Sequence, residues 1–221
     1  GKAGAMTYCV GILVREGLVM LGDTRTNAGL DNIATFRKLT VLEEPGERVI
    51  MLATAGMRKT LMDVESMFEA AKLVGEAIRR VYGTYGEALQ QQSMSFDVTF
   101  LIGGQIKDRR LRLFQVYAAG NFIEATQDTP YFQIGEHKYG KPILDRSISY
   151  DVELLDALKL ALISMDSTLR SNLSVGLPVD VAACRRDELK AAVSYRIAPD
   201  EPYFRDLRER WSKALRQAHL A

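Results

Sequence analysis

Two apolar, β-rich runs, TYCVGILV and LVMLGDTR, are separated only by Arg15-Glu16-Gly17, and that spacing is the tightest constraint on the fold. So short a glycine-containing break turns the second run back along the first, which predicts an antiparallel hairpin. A second hairpin follows, with FRKLTVLEE and RVIMLATAG around Glu44-Pro45-Gly46-Glu47, whose Pro-Gly pair is a strong turn signal. From Met57 to about Tyr82 the apolar residues Leu61, Val64, Met67, Phe68, Ala71, Leu73, Ile78 and Val81 recur at helical spacing. This predicts one long amphipathic helix interrupted by Gly83 and Gly86, with GEALQQQ as a short second one. FDVTFLIGG, RLRLFQVYAA, NFIEAT and PYFQIG then read as a meander of antiparallel strands. A helix centred on DVELLDALKLALISMDSTL, the strands PVDVAAC and LKAAVSYRI, and a closing amphipathic helix in YFRDLRERWSKALRQAHL complete the chain.

Hairpin-linked strands in blocks divided by helices fit neither a βαβ alternation nor an all-β barrel. Two antiparallel sheets packed face to face, each covered outside by helices, would bury all these faces, giving an α+β class. No repeat, low-complexity tract or linker divides residues 6–221, which are expected to form one domain; residues 1–5, GKAGA, read as a cloning remnant.

Composition removes several classes of function. With 29 Lys and Arg against 28 Asp and Glu there is no electrostatic footprint for nucleic acid or an anionic membrane. No run approaches the ~18 apolar residues of a membrane span, and no signal peptide precedes Met6, so a cytoplasmic protein is expected. Cys9 and Cys184 each lie in an apolar run and read as reduced core thiols. The only histidines are His137, in a GEHKYG loop without a nucleophile elbow, and His219 in the tail. HExxH and CxxC are absent, so neither a metal site nor a cofactor is expected. AGMRKT lacks the first glycine of a phosphate loop and has arginine before its lysine, so nothing here binds ATP.

Thr7 remains. A threonine hydroxyl is a weak nucleophile unless a base accompanies it, and an N-terminal threonine carries its own base in the α-amine. That amine titrates at about 7.7–8.0 in model peptides, so part of it is free to take a proton near neutral pH. The chemistry requires removal of Met6, a cation beside the amine, and a carboxylate to hold that cation. Asp23 and Lys38 stand at the ends of the next two strands. On the residues alone a second reading stays open, in which Thr7 is an ordinary strand residue and Asp-Thr-Arg a strand-end turn.

The stretch TYCVGILVREGLVMLGDTRTNAG closely resembles the opening of proteasome β subunits and their bacterial relatives. Asp23, Arg25 and Gly29 match that family's Asp-x-Arg-x-x-x-Gly segment, and Lys38 in TFRKLTVL lies one residue from the place of its catalytic lysine. ATAGMRK resembles the family's Ser-Gly turn into the first helix. DTRTNAGLDNIATFRK and SMDSTLRSNLSVGLPVDV are most similar to the bacterial Anbu (ancestral β subunit) group, and the resemblance spans Met6 to His219.

The resemblance implies a four-layer αββα sandwich and an N-terminal-nucleophile (Ntn) hydrolase acting on a peptide or amide substrate. Thr7 would be the nucleophile, Lys38 and Asp23 its supports, and the Gly56 amide the oxyanion donor. Supporting roles fall to Glu136, near the family's turn serine, to Ser171, in place of its aspartate, and to Ser174. Those changes put ordinary peptidase activity in question. Substrate would lie along Thr26 and Asn27 as an added strand, with Met57 and Arg58 flanking its first side-chain pocket. Ring-like homo-oligomers are implied, with partner proteins that deliver substrate or form amides. Two rivals stand beside this: a non-catalytic assembly subunit, and an Ntn amidase for a specialised small amide or isopeptide.

Overall fold

Alternation within the first strand sets the layering, because successive side chains of a strand face opposite sides. Tyr8, Val10, Ile12 and Val14 pack into a helix-covered core, while Cys9 and Leu13 pack against a second sheet. This is seen in a computed structural model that describes residues 7–27, 33–53, 58–91 and 98–220.

In chain order the elements are β1 (Tyr8–Val14), β2 (Gly17–Asp23), β3 (Arg25–Asn27), β4 (Ile33–Thr35), β5 (Leu39–Glu44) and β6 (Arg48–Ala53). There follow α1 (Arg58–Met62), α2 (Met67–Gln91), β7 (Phe100–Ile106), β8 (Arg112–Val116), β9 (Phe122–Glu124) and β10 (Tyr131–Gly135). The chain closes with α3 (Lys141–Ser147), α4 (Leu154–Ser171), β11 (Val179–Arg185), β12 (Ala191–Ile197) and α5 (Pro202–Ala218).

One antiparallel sheet has the order β10-β1-β2-β11-β12, the other β5-β6-β7-β8-β9, and β3 pairs with β4 as a separate ribbon. Helices α3, α4 and α5 cover the first sheet through Leu144, Leu154, Ala161, Met165, Phe204 and Leu207. Helices α1 and α2 cover the second through Leu61, Met67, Ala71, Val74 and Ile78, set against Ile50, Leu52, Ile102 and Phe114. Cys9, Leu18, Met20, Val49, Met51, Leu113 and Cys184 fill the space between the sheets. The result is an α+β, four-layer αββα sandwich. Each fully buried Leu, Ile or Met adds about 1.5–3 kcal/mol before chain entropy is subtracted.

Two expectations are corrected and one element is added. The long helix breaks before Met67 and not at Gly83 or Gly86. Ser66 Oγ accepts from Glu69 N (3.1 Å) while the Glu69 carboxylate accepts from Glu65 N (2.7 Å), a side-chain cap that starts α2 afresh. Apolar periodicity ran across this start and hid it. Gly83 stays inside α2 at an exposed position, where its cost of about 1 kcal/mol relative to alanine is spread over a long helix. PYFQIG is not part of the meander: β7, β8 and β9 are, but β10 crosses to pair with β1 in the other sheet. Helix α3, opened by Pro142 in its first turn, had not been read from the sequence. Among the described residues no helix is long and apolar enough to cross a membrane.

Candidate active site

Thr7 lies immediately before β1, and its carbonyl accepts the Glu136 amide at 2.7 Å. The approach depends on Gly135, whose φ of +81° is left-handed and whose missing Cβ would stand 1.8 Å from the Thr7 carbonyl oxygen. The Thr7 side chain faces the inter-sheet layer, with its hydroxyl 3.9 Å from Cys9 Sγ. Burial, reinforced by the Asp23 charge, pushes the Cys9 thiol up to about 12, so it stays protonated.

Asp23 ends β2 with no exposed surface. Its Oδ1 accepts from Thr7 Oγ1 (2.8 Å), from Tyr8 N (3.1 Å) and from Lys38 Nζ (2.8 Å), while Oδ2 faces Gly176 N at 3.4 Å. Removing a carboxylate from water costs several kcal/mol unless donors fill its lone pairs, and this crowd of donors meets that cost. Lys38, placed just ahead of β5, also donates to the Arg25 carbonyl at 2.7 Å, which fixes its ammonium beside Asp23. A protonated lysine has no lone pair, so the Thr7 hydroxyl gives its hydrogen bond to the carboxylate.

The strand end after Asp23 is stitched to the loop between α4 and β11. Asp23 meets Gly176 N, Thr24 Oγ1 donates to the Pro178 carbonyl (2.7 Å), and Arg25 donates to the Leu173 carbonyl (2.8 Å). A Cβ at position 176 would fall 2.1 Å from Arg25 Nε, so glycine is what admits the guanidinium. From the same loop Asn172 Nδ2 donates to Glu136 Oε2 (3.1 Å), and Asn172 Oδ1 accepts the Ser174 amide (2.9 Å). The Glu136 side chain is only 8% exposed and lies 4.0 Å from Lys138 Nζ.

A buried carboxylate thus joins the threonine that precedes β1 to a lysine. The profile of a family described as Proteasome subunit matches residues 5–184. The chain belongs to the proteasome subunit family.

Solved structures of that family are similar over nearly the whole chain. Anbu (ancestral β-subunit) from Yersinia bercovieri is 48% identical, with 96% of each chain covered and a TM-score of 0.89. An Anbu (Gly-1) mutant from Hyphomicrobium sp. strain MC1 is 48% identical over 96% of each chain, with a TM-score of 0.87. A helical assembly of the Anbu complex from Pseudomonas aeruginosa is 42% identical over 96% of this chain and 95% of that one, with a TM-score of 0.88. A search of curated proteins found no match.

The remaining residues read from the sequence fall in different places around this cluster. Glu136 and Ser174 are joined through Asn172, and it is the Ser174 amide that makes the bond. Ser171 is exposed on the last turn of α4. Thr26 and Asn27 lie in β3, opposite Ala34 and Ile33. Arg58 begins α1, whereas Met6, Gly29, Gly56 and Met57 lie outside the described residues. Sequence reasoning missed Tyr8 N, Gly135 and Gly176, because backbone amides and glycines leave no residue-type signal.

Tyr8 ties this centre to the helix layer. Its hydroxyl lies 3.0 Å from Ser164 Oγ and accepts from Gln133 Nε2 at 2.7 Å, and burial raises its pKa to about 12. Ser164 Oγ gives its own hydrogen to the Ala161 carbonyl (2.7 Å), so Tyr8 is the donor in that pair. Among the described residues no group of His, Cys, Asp or Glu could hold a metal ion.

Proposed function

We propose that this proteasome-family chain is a threonine hydrolase that cleaves peptide or amide bonds once Thr7 has become the first residue. The observation that carries the reading is the meeting of Thr7 Oγ1 and Lys38 Nζ on one buried oxygen of Asp23. The freed α-amine of Thr7, directly or through water, takes the hydroxyl proton as Oγ attacks the carbonyl carbon. The fixed charge of Lys38 favours the developing alkoxide, and Asp23 holds both partners in place. The amide of Gly56 receives the oxyanion; loss of such a donor costs about 10²–10³ in rate in comparable sites. The proton passes to the departing amine, and water then cleaves the Thr7 ester with the same amine as base.

Substrate adds as a strand along Thr26 and Asn27, with Met57 and Arg58 beside its first side chain. Glu136, Asn172 and Ser174 brace the Thr7 backbone from the other side, with Ser171 at the rim. This altered support favours a specialised peptide or isopeptide over general proteolysis. The protein works in the cytoplasm as a self-assembled, ring-like or helical homo-oligomer, a reading supported by the helical assembly of the Pseudomonas aeruginosa relative. While residues precede Thr7 its nitrogen is an amide and cannot serve as the base.

The test joins intact mass with covalent capture. Protein whose mass begins at Thr7 is expected to be labelled by a threonine-directed electrophile, and Thr7→Ala to be unlabelled. Labelling that survives in Thr7→Ala, or a native chain that keeps Met6, overturns the proposal.

A further inference from the structure

Strand β10 is an end strand of its sheet, and among the described strands only β1 pairs with it. Leu13 N donates to the Pro130 carbonyl and Glu136 N to the Thr7 carbonyl, both at 2.7 Å. With Cys9 opposite Ile134 and Gly11 opposite Phe132, the positions bonded to β1 are 130, 132, 134 and 136. Antiparallel pairing uses alternate residues, so the N–H and C=O groups of Tyr131 and Gln133 point away from β1.

That edge opens into a cavity of about 440 Å³ whose far wall carries Lys141, Asp145 and Ile148. The volume lies in the ~300–1,000 Å³ range of ligand-holding clefts. Both ends of the open edge are closed. At one end Thr129 gives its N–H to Thr126 Oγ1 (3.2 Å) and its carbonyl accepts the Thr126 amide (3.1 Å), and at the other the Gly135 carbonyl already lies 3.1 Å from His137 Nδ1. Charge is directional too: the Lys141 ammonium is occupied by Asp145 (2.8 and 2.9 Å), while Asp128 leaves an exposed carboxylate at the mouth.

We propose that the groove between β10 and α3 is a second, non-catalytic peptide site that takes a short extended segment by strand addition, with a basic side chain beside Asp128. Main-chain pairing at Tyr131 and Gln133 supplies the affinity and the closed ends limit the segment to a few residues. The site stands apart from the hydrolase reading, because Thr7 takes no part in it.

Fluorescein-labelled acetyl-Thr-Val-Lys-Val-Thr-amide, titrated against the full chain by anisotropy, tests the proposal. Saturable binding is expected, unchanged in Thr7→Ala. Methylating alternate backbone nitrogens on the pairing edge should weaken it roughly tenfold, since main-chain hydrogen bonds are removed. Asp128→Lys should weaken the lysine peptide roughly two- to fivefold, as for an exposed ion pair, and leave an all-Val/Thr peptide unaffected. Absence of saturable binding, equal binding of the methylated peptide, or loss of binding in Thr7→Ala overturns the site. So does a change in sedimentation in Asp128→Lys with no peptide binding, which would assign the groove to a second copy of the chain.

Discussion

The two sheets bury different material. Among the described residues, the buried polar ones on the side of β10-β1-β2-β11-β12 and its helices are Asp23, Thr24, Ser164, Asp166, Thr168 and Asp180, whereas the β5–β9 side contributes Gln105. Asp166 joins Arg170 of its own helix to Arg208 of α5, and Asp180 holds Arg196 in two parallel bonds of 2.7 and 2.9 Å. Gln105, near the end of its strand, bonds Arg109 and Asp187. Ile50, Leu52, Ile102 and Phe114, on the face of that sheet covered by α1 and α2, are apolar and tightly buried. Apolar packing is tolerant of which large residue fills a space, but a buried carboxylate needs each donor at its place. The first sheet therefore holds geometry and the second supplies bulk.

Asp23→Ala should sharpen that contrast most. It strands Lys38, whose side chain is 17% exposed, and should cost about 3–5 kcal/mol in urea unfolding while abolishing capture at Thr7. An unchanged urea midpoint would break the contrast outright. Ile50→Ala, in the other sheet, should cost about 2–5 kcal/mol through its cavity, yet leave the labelling rate of the folded protein as it was. Gly176→Ala drives a methyl against Arg25 and should cost about 1–3 kcal/mol, with slower capture because the Asp23 contact shifts.

A pH dependence is the smallest effect over any one pH unit. Burial raises Cys9 from 9.0 to about 12 and Tyr8 from 10.0 to about 12, so the folded chain holds protons that the unfolded chain releases. Their contribution is complete below pH 9 and is lost as pH rises from there toward 12. The loss is on the order of 1 kcal/mol per pH unit for each group. Thermal melting between pH 8 and 10.5 measures it, and Cys9→Ala should flatten the slope.

The hairpins were legible because the apolar runs and their turn residues are local, and β1–β2 turns at Arg15-Glu16. The partner of PYFQIG was not: a strand's own pattern says which residues are buried, but not which sheet buries them. The start of α2 was written in Ser66 and Glu69, yet the stronger apolar period concealed it. At the centre, Thr7, Asp23 and Lys38 could be named because their side chains are of the types that nucleophilic chemistry uses. Gly135 and Gly176 could not, since their contribution is the absence of a side chain beside Thr7 and Arg25.

Cys9 and Cys184 are both free and both enclosed between the sheets, whereas the one tryptophan, Trp211, lies partly exposed on α5. The chain thus carries two clocks. Thiol alkylation can proceed only when the sheets part, and tryptophan emission changes when α5 lifts away, so their relative rates would give the order in which the layers come apart.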